Sequence, residues 1–103
     1  GRPVFVGFTA TWCLTCKVNE EMVIQTDDVI AAVNEYDVAM FVGDWSQPDD
    51  RIAAKLAEFG RGGVPLYLVY SPNRPDEPVL LPEVITVDML IDALREAAQP
   101  DPT

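Results

Sequence analysis

The sequence predicts an α/β fold in which helices pack around a central mixed β-sheet. Apolar runs without polar alternation, typical of strands buried on both faces, occur at residues 3–9 and 64–70. Other segments carry apolar residues at helical spacing, so strands and helices alternate along the chain. A length of 103 residues is most simply one domain, 1–103, around one hydrophobic core.

The first strand, residues 3–9, leads into a helix that begins near Cys13. Apolar residues follow at near-helical spacing, are interrupted at residues 26–28 and then resume. We therefore predict a helix, a break, and a second helix capped by Thr26 or Asp27. The apolar positions of the two helices are Val18, Met22, Val23, Val29, Ile30 and Val33.

The middle of the chain contains a strand, a helix and another strand. Residues 38–42 are apolar and form the second strand, followed by a turn that contains Pro48. A helix is predicted over residues 49–59, with Gly60 as its C-terminal cap. The next strand covers residues 64–70.

The C-terminal part is predicted as a loop, a short strand and a helix. Residues 71–78 contain three prolines and are predicted to form a hairpin loop before a short strand at 79–81. The last helix starts after Thr86 as N-cap, with Asp88 in its first turn. Residues 99–103 are predicted to be a frayed tail.

The charge of the chain limits its partners. The formal net charge is −10 with seven Lys and Arg residues, which argues against nucleic acid and anionic membrane surfaces as partners. The longest apolar stretches are far shorter than the roughly 20 residues that span a bilayer, so we expect no direct membrane insertion. Histidine is absent from the sequence, which excludes imidazole chemistry.

The only cysteines, Cys13 and Cys16, form a Cys-X-X-Cys motif between a strand and a helix. This position places the first thiol at the helix N-terminus, where free N–H groups and the helix dipole favour thiolate. The second thiol follows one turn later, close enough for a disulfide. The arrangement suits reversible redox chemistry.

Three other uses of the cysteine pair are alternatives to redox exchange. A zinc site needs about four ligands, and this chain would have to share its two cysteines with a second chain. A structural disulfide over so short a loop would restrict the unfolded chain little. The pair could also hold Cu(I) through two soft thiolates without turnover.

The surroundings of the motif resemble a known family. The segments FTATWCLTCK and GVPLY are similar to the thioredoxin superfamily. More narrowly, PVFVGFTATWCLTCKVNEEMV, GDWSQPDDRIAAKLAEFGRGGVPLYLVY and VLLPEVIT resemble the C-terminal thioredoxin-like domain of the DsbD family of thiol:disulfide interchange proteins, including their ScsB-type copper-tolerance relatives. The resemblance implies a thioredoxin-like fold whose N-terminal strand and helix are abbreviated or absent here.

The resemblance also implies roles for individual residues. Cys13 would be the exposed nucleophile and Cys16 the buried resolving thiol. Pro65 would follow a cis peptide bond, and the Val64 backbone would be free to pair with a partner chain. Further expected site residues are Trp12 at the rim of the site, and Leu14 and Thr15 in place of the Gly-Pro of ordinary thioredoxins.

The chain departs from the family pattern at Gly7, where many thioredoxin-like proteins carry a buried aspartate. Such a carboxylate raises the cysteine pKa and can relay a proton. Glu20, one turn beyond Cys16, is the nearest alternative by spacing, although a solvated glutamate on the helix surface is the simpler interpretation. Lys17 could favour thiolate, or could simply be a solvated lysine.

Three residues are candidates for the edge of the site. Asp44 and Trp45 end the second strand on the side of the sheet where the cysteines lie, although they could serve only as turn and packing residues. Glu83 comes near the site only if the family register holds.

The expected function is that of a protein-disulfide reductase domain. By resemblance, it would relay electrons from the transmembrane domain of its parent chain to periplasmic thiol-disulfide proteins, including its own N-terminal domain. It would need no metal or organic cofactor besides the redox-active disulfide, and would be the periplasmic part of a bacterial inner-membrane protein. Alternatives are a binding module for a partner protein or Cu(I), and a free-standing thioredoxin. The acidic surface and the lack of an obvious exposed apolar helix favour a monomer.

Overall fold

A computed structural model describes residues 1–99 of the chain. The strands are β1 Val4–Thr9, β2 Ala39–Asp44, β3 Leu66–Ser71 and β4 Arg74–Leu80. The helices are α1 Leu14–Asn19, which continues into a π-helical turn Glu20–Ile24, α2 Asp27–Glu35, α3 Asp50–Glu58 and α4 Val87–Ala98.

The strands of residues 1–99 form one mixed sheet in the order β2-β1-β3-β4. β1 runs parallel to β2 and antiparallel to β3, and β3 runs antiparallel to β4. Thr9 aligns with Asp44, and Phe8 aligns with Leu66. The ends of β1 and β2 and the start of β3 therefore meet at one edge, where the cysteine segment begins.

Helices cover both faces of the sheet. On one face α2, α4 and the π-helical turn enclose the larger core, which includes Phe5, Tyr67 and Leu90. On the other face α3 packs Leu56 against Leu66 and further apolar residues of β1 and β3. This mixed sheet between helical layers confirms the predicted fold class.

The predicted helix boundaries are confirmed by their caps. Thr26 accepts a hydrogen bond from the backbone of Val29, and Thr86 accepts one from Met89. Asp49 caps α3 in the same way. Gly60 follows α3 with a φ of 72°, a conformation that glycine adopts without steric cost.

The prediction of a hairpin loop at 71–78 with a short strand at 79–81 is wrong. β4 begins at Arg74 and pairs with β3 after a tight turn, so the strand includes Pro75 and Pro78. β4 lies at the edge of the sheet, where a proline need not donate to a neighbouring strand. The prolines therefore mark an edge strand and not a loop.

The buried face of α1 also differs from the prediction. Val18 and Met22 are exposed, with 49% and 68% of their surface accessible. The buried positions are Cys16, Asn19 and Val23. The molecule therefore has an exposed apolar helix face, contrary to the reason given for expecting a monomer.

The C-terminal helix ends at Ala98, with Gln99 as its C-cap. Most of the tail predicted at 99–103 lies outside the described residues. Among residues 1–99, no helix combines the length and apolar character needed to cross a membrane.

Candidate redox site

Cys13 and Cys16 lie at the start of α1 and are joined in a disulfide, with their Cα atoms 5.3 Å apart. Cys13 is the N-cap of α1, in an extended conformation. The backbone N–H of Cys16 donates to Cys13 Sγ at 3.1 Å. The helix start thus presents an N–H donor to this sulfur, an arrangement that stabilises negative charge on it.

Both cysteines are more enclosed than the prediction of an exposed nucleophile suggested. Cys13 is 7% exposed and Cys16 is fully buried, and both pack with Ala10 and the half-buried Val64. Of the two cysteines, only Cys13 has any surface that a partner could reach.

The loop before β3 faces the disulfide. The Val64–Pro65 peptide bond is cis, which confirms the prediction for Pro65. The carbonyl oxygen of Val64 lies 3.9 Å from Cys13 Sγ. Pro65 is buried and Val64 is half-buried beside the cysteines.

Trp12 and Trp45 form an aromatic pair next to the disulfide. Trp12 is 60% exposed, and its ring centroid lies 6.1 Å from that of Trp45. The Trp45 backbone N–H donates to the Thr9 carbonyl at 2.7 Å. The Trp45 indole N–H is buried and finds no acceptor among residues 1–99. Both tryptophans therefore border the site.

Asp44 reaches the cysteine segment through Ser46. The Asp44 carboxylate accepts hydrogen bonds from the hydroxyl and the backbone N–H of Ser46. These two bonds, with the hydroxyl contributing most, hold the pKa of Asp44 below its usual value. The Ser46 hydroxyl in turn accepts from the Thr11 N–H at 2.8 Å. Asp44 thus positions the segment before Cys13 without touching either sulfur.

Glu20 is half-buried and lines a cavity of about 290 Å³ together with Gly7 and Tyr67. Its carboxylate accepts a hydrogen bond from the Thr9 hydroxyl at 2.9 Å. Among the described residues, this carboxylate makes no hydrogen bond to a cysteine; the backbone N–H of Glu20 donates to the Cys16 carbonyl within the helix. The structure therefore places a carboxylate on the same cavity as Gly7, but one that is bonded to the end of β1.

The packing around Gly7 explains why a side chain is disfavoured there. A Cβ at this position would lie 3.1 Å from the Phe5 ring and 3.3 Å from the Tyr67 ring. These two rings stack on each other, with centroids 5.8 Å apart. An aspartate at position 7 would require at least one ring to shift by a few tenths of an ångström.

The other residues predicted from the motif lie on the outside of α1. Leu14 and Thr15 are exposed between the two cysteines, and Lys17 is exposed one residue after Cys16. Lys17 provides the only lysine charge near the motif in the sequence.

Asn19 is a site residue that the sequence interpretation missed. It is 1% exposed, and its amide donates to the Tyr67 hydroxyl at 3.1 Å and to the Glu83 carbonyl at 2.7 Å. Its side-chain oxygen accepts from the Ile85 N–H at 3.4 Å. Burial raises the pKa of the Tyr67 hydroxyl, so this hydroxyl stays protonated at neutral pH. The sequence did contain a signal for Asn19: helical spacing places it on the same face as Cys16 and Val23, and a polar residue on a buried face needs hydrogen-bond partners.

Glu83 is linked to the site through Arg61 and Asn19. Its carboxylate pairs with Arg61 at 2.8 Å, and Arg61 also donates to the Leu81 carbonyl at 3.0 Å. Arg61 lies in the loop that leads to Val64. Glu83 therefore does not contact the cysteines in the described structure, but ties that loop to the segment held by Asn19.

Within residues 1–99, no group of three or more His, Cys, Asp or Glu residues is arranged to hold a metal ion.

Comparison with known proteins agrees with this geometry. Residues 1–72 match the model of a thioredoxin-like family. The chain is 32% identical over 100 residues to the thiol:disulfide interchange protein DsbD 1 of Pseudomonas aeruginosa. That alignment covers 95% of this chain but spans only 16% of the relative.

Two solved structures extend the likeness to three dimensions. The oxidised C-terminal domain of DsbD from Neisseria meningitidis superposes with a TM-score of 0.69 at 28% identity, covering 93% of this chain and 80% of that one. The reduced form gives a TM-score of 0.63 at 25% identity, with 93% and 81% covered. The resemblance inferred from the sequence segments is confirmed. These relatives and the Cys13–Cys16 disulfide support thiol:disulfide oxidoreductase activity.

Proposed function

Because the chain belongs to the thioredoxin-like family, we propose that it is a protein-disulfide reductase domain that works through Cys13 and Cys16. The observation that carries this proposal is the environment of Cys13 Sγ. This sulfur accepts the Cys16 N–H at a helix start and belongs to the more accessible of the two cysteines. Such an environment favours the thiolate, which is the nucleophile in disulfide exchange.

The reaction proceeds in two exchange steps. In the reduced domain, Cys13 thiolate attacks one sulfur of a partner disulfide, which forms a mixed disulfide and releases the other partner sulfur as thiolate. Cys16 thiolate then attacks Cys13 Sγ, which re-forms the Cys13–Cys16 disulfide and releases the second partner thiol. Two electrons pass from the domain to the partner, and no other reactant is consumed.

We propose that the residues around the disulfide divide the remaining tasks. Trp12, Leu14, Thr15, Val64 and Pro65 shape the surface that receives the partner. Glu20 is the acid-base group available in place of the carboxylate missing at Gly7, supported by its place on the same cavity. Lys17 contributes a positive charge that favours thiolate. Asp44, Trp45 and Glu83 hold the surrounding loops.

The partners and location follow from the resemblance to the DsbD family. The electrons would come from a transmembrane domain of a longer parent chain and pass to periplasmic thiol-disulfide proteins, its own N-terminal domain among them. The domain would function in the bacterial periplasm, with the Cys13–Cys16 disulfide as its redox group.

The experiment is a turnover assay with insulin as the disulfide substrate and dithiothreitol as the electron source. The wild type is expected to accelerate insulin reduction, and Cys13→Ser is expected to abolish the acceleration. Asn34→Ala changes an exposed residue of α2, far along the chain from the cysteines, and is the control variant that should reduce insulin at the wild-type rate. No acceleration by the wild type would contradict the proposal.

A Cu(I)-binding module is distinguished by a second measurement. The two thiolates of such a module would bind Cu(I) tightly, whereas a reductase requires only that they exchange with a partner disulfide. Titration of the reduced protein with Cu(I), combined with the insulin assay, separates the two. Tight binding without turnover would favour the binding module over the reductase.

A further inference from the structure

The outer side of the cysteine helix carries an apolar stripe that runs from Leu14 to residues with no part in the exchange steps. Leu14, Val18 and Met22 follow each other at intervals of four residues and are 76%, 49% and 68% exposed. Residues four apart lie on the same side of a helix. We call these three residues the α1 stripe.

A loop held against the same helix carries a further exposed apolar residue. Asn19, the residue after Val18, holds the Glu83 carbonyl and the Ile85 N–H against the helix. Val84 lies between these two anchor points and is 67% exposed. The loop therefore adds a fourth exposed apolar side chain beside the helix.

The stripe is continuous with the cysteine that a partner must reach. Leu14 directly follows Cys13, and the exposed Trp12 directly precedes it. Any protein whose disulfide contacts Cys13 Sγ covers this end of the helix. Apolar surface of this kind, gathered in one place, marks an interaction site.

We propose that the α1 stripe and Val84 dock an apolar segment of the partner protein, next to the disulfide that Cys13 attacks. This inference rests on the proposed function and adds a specificity surface to it. The partner segment carries little negative charge, because the chain has a net charge of −10 and the exposed Glu21 balances the exposed Lys17 beside the stripe. Docking raises the rate of exchange with protein disulfides that lie beside an apolar segment. Small disulfides, which have no such segment, react without this increase.

The test compares two synthetic peptides, each with one cysteine linked to glutathione by a disulfide. In one peptide the cysteine is followed by a helix with leucines four residues apart, and in the other serines replace those leucines. Exchange oxidises Cys13 and Cys16 to their disulfide and releases the peptide thiol and glutathione. The reduced wild type is expected to react with the leucine peptide at least about tenfold faster, equivalent to about 1.4 kcal/mol.

The variant Val18→Ser/Met22→Ser is expected to reduce this rate ratio to about threefold or less. A matched control, Ile30→Ser/Phe41→Ser, changes residues that are 48% and 58% exposed elsewhere and should keep the wild-type ratio. Val84→Ser lies outside the helix, so it tests the same surface without a change in helix stability. It should lower the ratio about twofold.

Several results would overturn the docking surface. Equal rates with the two peptides would do so, as would a ratio that Val18→Ser/Met22→Ser and Val84→Ser leave unchanged, or an equal loss in the control. Sedimentation showing a wild-type dimer that Val18→Ser/Met22→Ser dissociates would assign the stripe to a second copy of the chain. Failure of the wild type to react with either peptide–glutathione disulfide would instead contradict the proposed function.

Discussion

The cysteine region and the β2 edge of the sheet are held in different ways. In the cysteine region, the side chains of Asn19 and Arg61 connect α1, the loop before Val64 and residues 81–85. At the other side, β2 pairs only with β1 among residues 1–99. Its apolar residues Phe41 and Val42 are 58% and 69% exposed.

This difference shows that exposed apolar residues have no single meaning in this molecule. Those of the α1 stripe adjoin a sulfur that must meet a partner, whereas those of β2 belong to an edge strand fixed by its backbone ladder. The cysteine region depends on a few polar contacts between distant segments. Removing those contacts should therefore affect the molecule more than a change at an exposed position elsewhere.

The largest effect on stability is expected for Asn19→Ala. The substitution leaves the Glu83 carbonyl and the Ile85 N–H without their partner in a buried place. Unsatisfied buried groups and the lost volume should lower the free energy of unfolding by about 2–4 kcal/mol. Urea denaturation of the oxidised protein measures this change.

Asn34→Ala on the exposed side of α2 is the matched control and should change stability by less than about 0.5 kcal/mol. Equal stability of Asn19→Ala and the wild type would mean that the Asn19 contacts do not hold the cysteine region.

A smaller effect is expected for Arg61→Met. The Arg61 side chain is 18% exposed, but its partner Glu83 is 60% exposed, so solvent weakens this ion pair. Loss of the pair and of the bond to the Leu81 carbonyl should cost about 1 kcal/mol. The same urea experiment applies, with Arg51→Met as control because the Arg51 side chain is 93% exposed. An equal loss of stability in Arg61→Met and Arg51→Met would mean that the Arg61 contacts do not stabilise the cysteine region.

The smallest effect is the loss of stability expected when Asp44 is protonated at low pH. The pKa of Asp44 is lowered mainly by the Ser46 hydroxyl, so the folded state favours the ionised carboxylate. The stabilising contribution is therefore present above the unfolded pKa, about 3.9, and is lost as pH falls through the lower folded value. The link from Asp44 to Thr11 should loosen below pH 4.

Tryptophan fluorescence is suited to following this change, because Trp45 directly follows Asp44 and contacts Trp12. Asp44→Asn should lack this acid transition, because it removes the carboxylate whose pKa the Ser46 hydrogen bonds hold below its usual value. An identical transition in that variant would assign the change to another group.

Local patterns in the sequence were sufficient to predict the order of elements and the helix starts. Thr26, Asp49 and Thr86 carry side-chain acceptors at the positions where helices begin, so each boundary is specified within a few residues. The cysteine pair was also recognisable, because its spacing and its place between a strand and a helix are local.

Contacts between distant segments could not be predicted in this way. Asn19 and Glu83 are 64 residues apart, and Arg61 and Glu83 are 22 apart, and no periodicity indicates such partners. Apolar spacing also did not show which side of α1 faces the core. Cys16, Asn19 and Val23 form that side, with a polar residue in the middle.

The central claim is that Cys13 attacks and Cys16 resolves, and trapping of the intermediate tests it most directly. Reduced Cys16→Ser and Cys13→Ser proteins are each mixed with insulin, quenched with acid and analysed by intact mass spectrometry. The account predicts that Cys16→Ser accumulates a mixed disulfide through Cys13, whereas Cys13→Ser accumulates little. A mixed disulfide formed equally or mainly through Cys16 would contradict it.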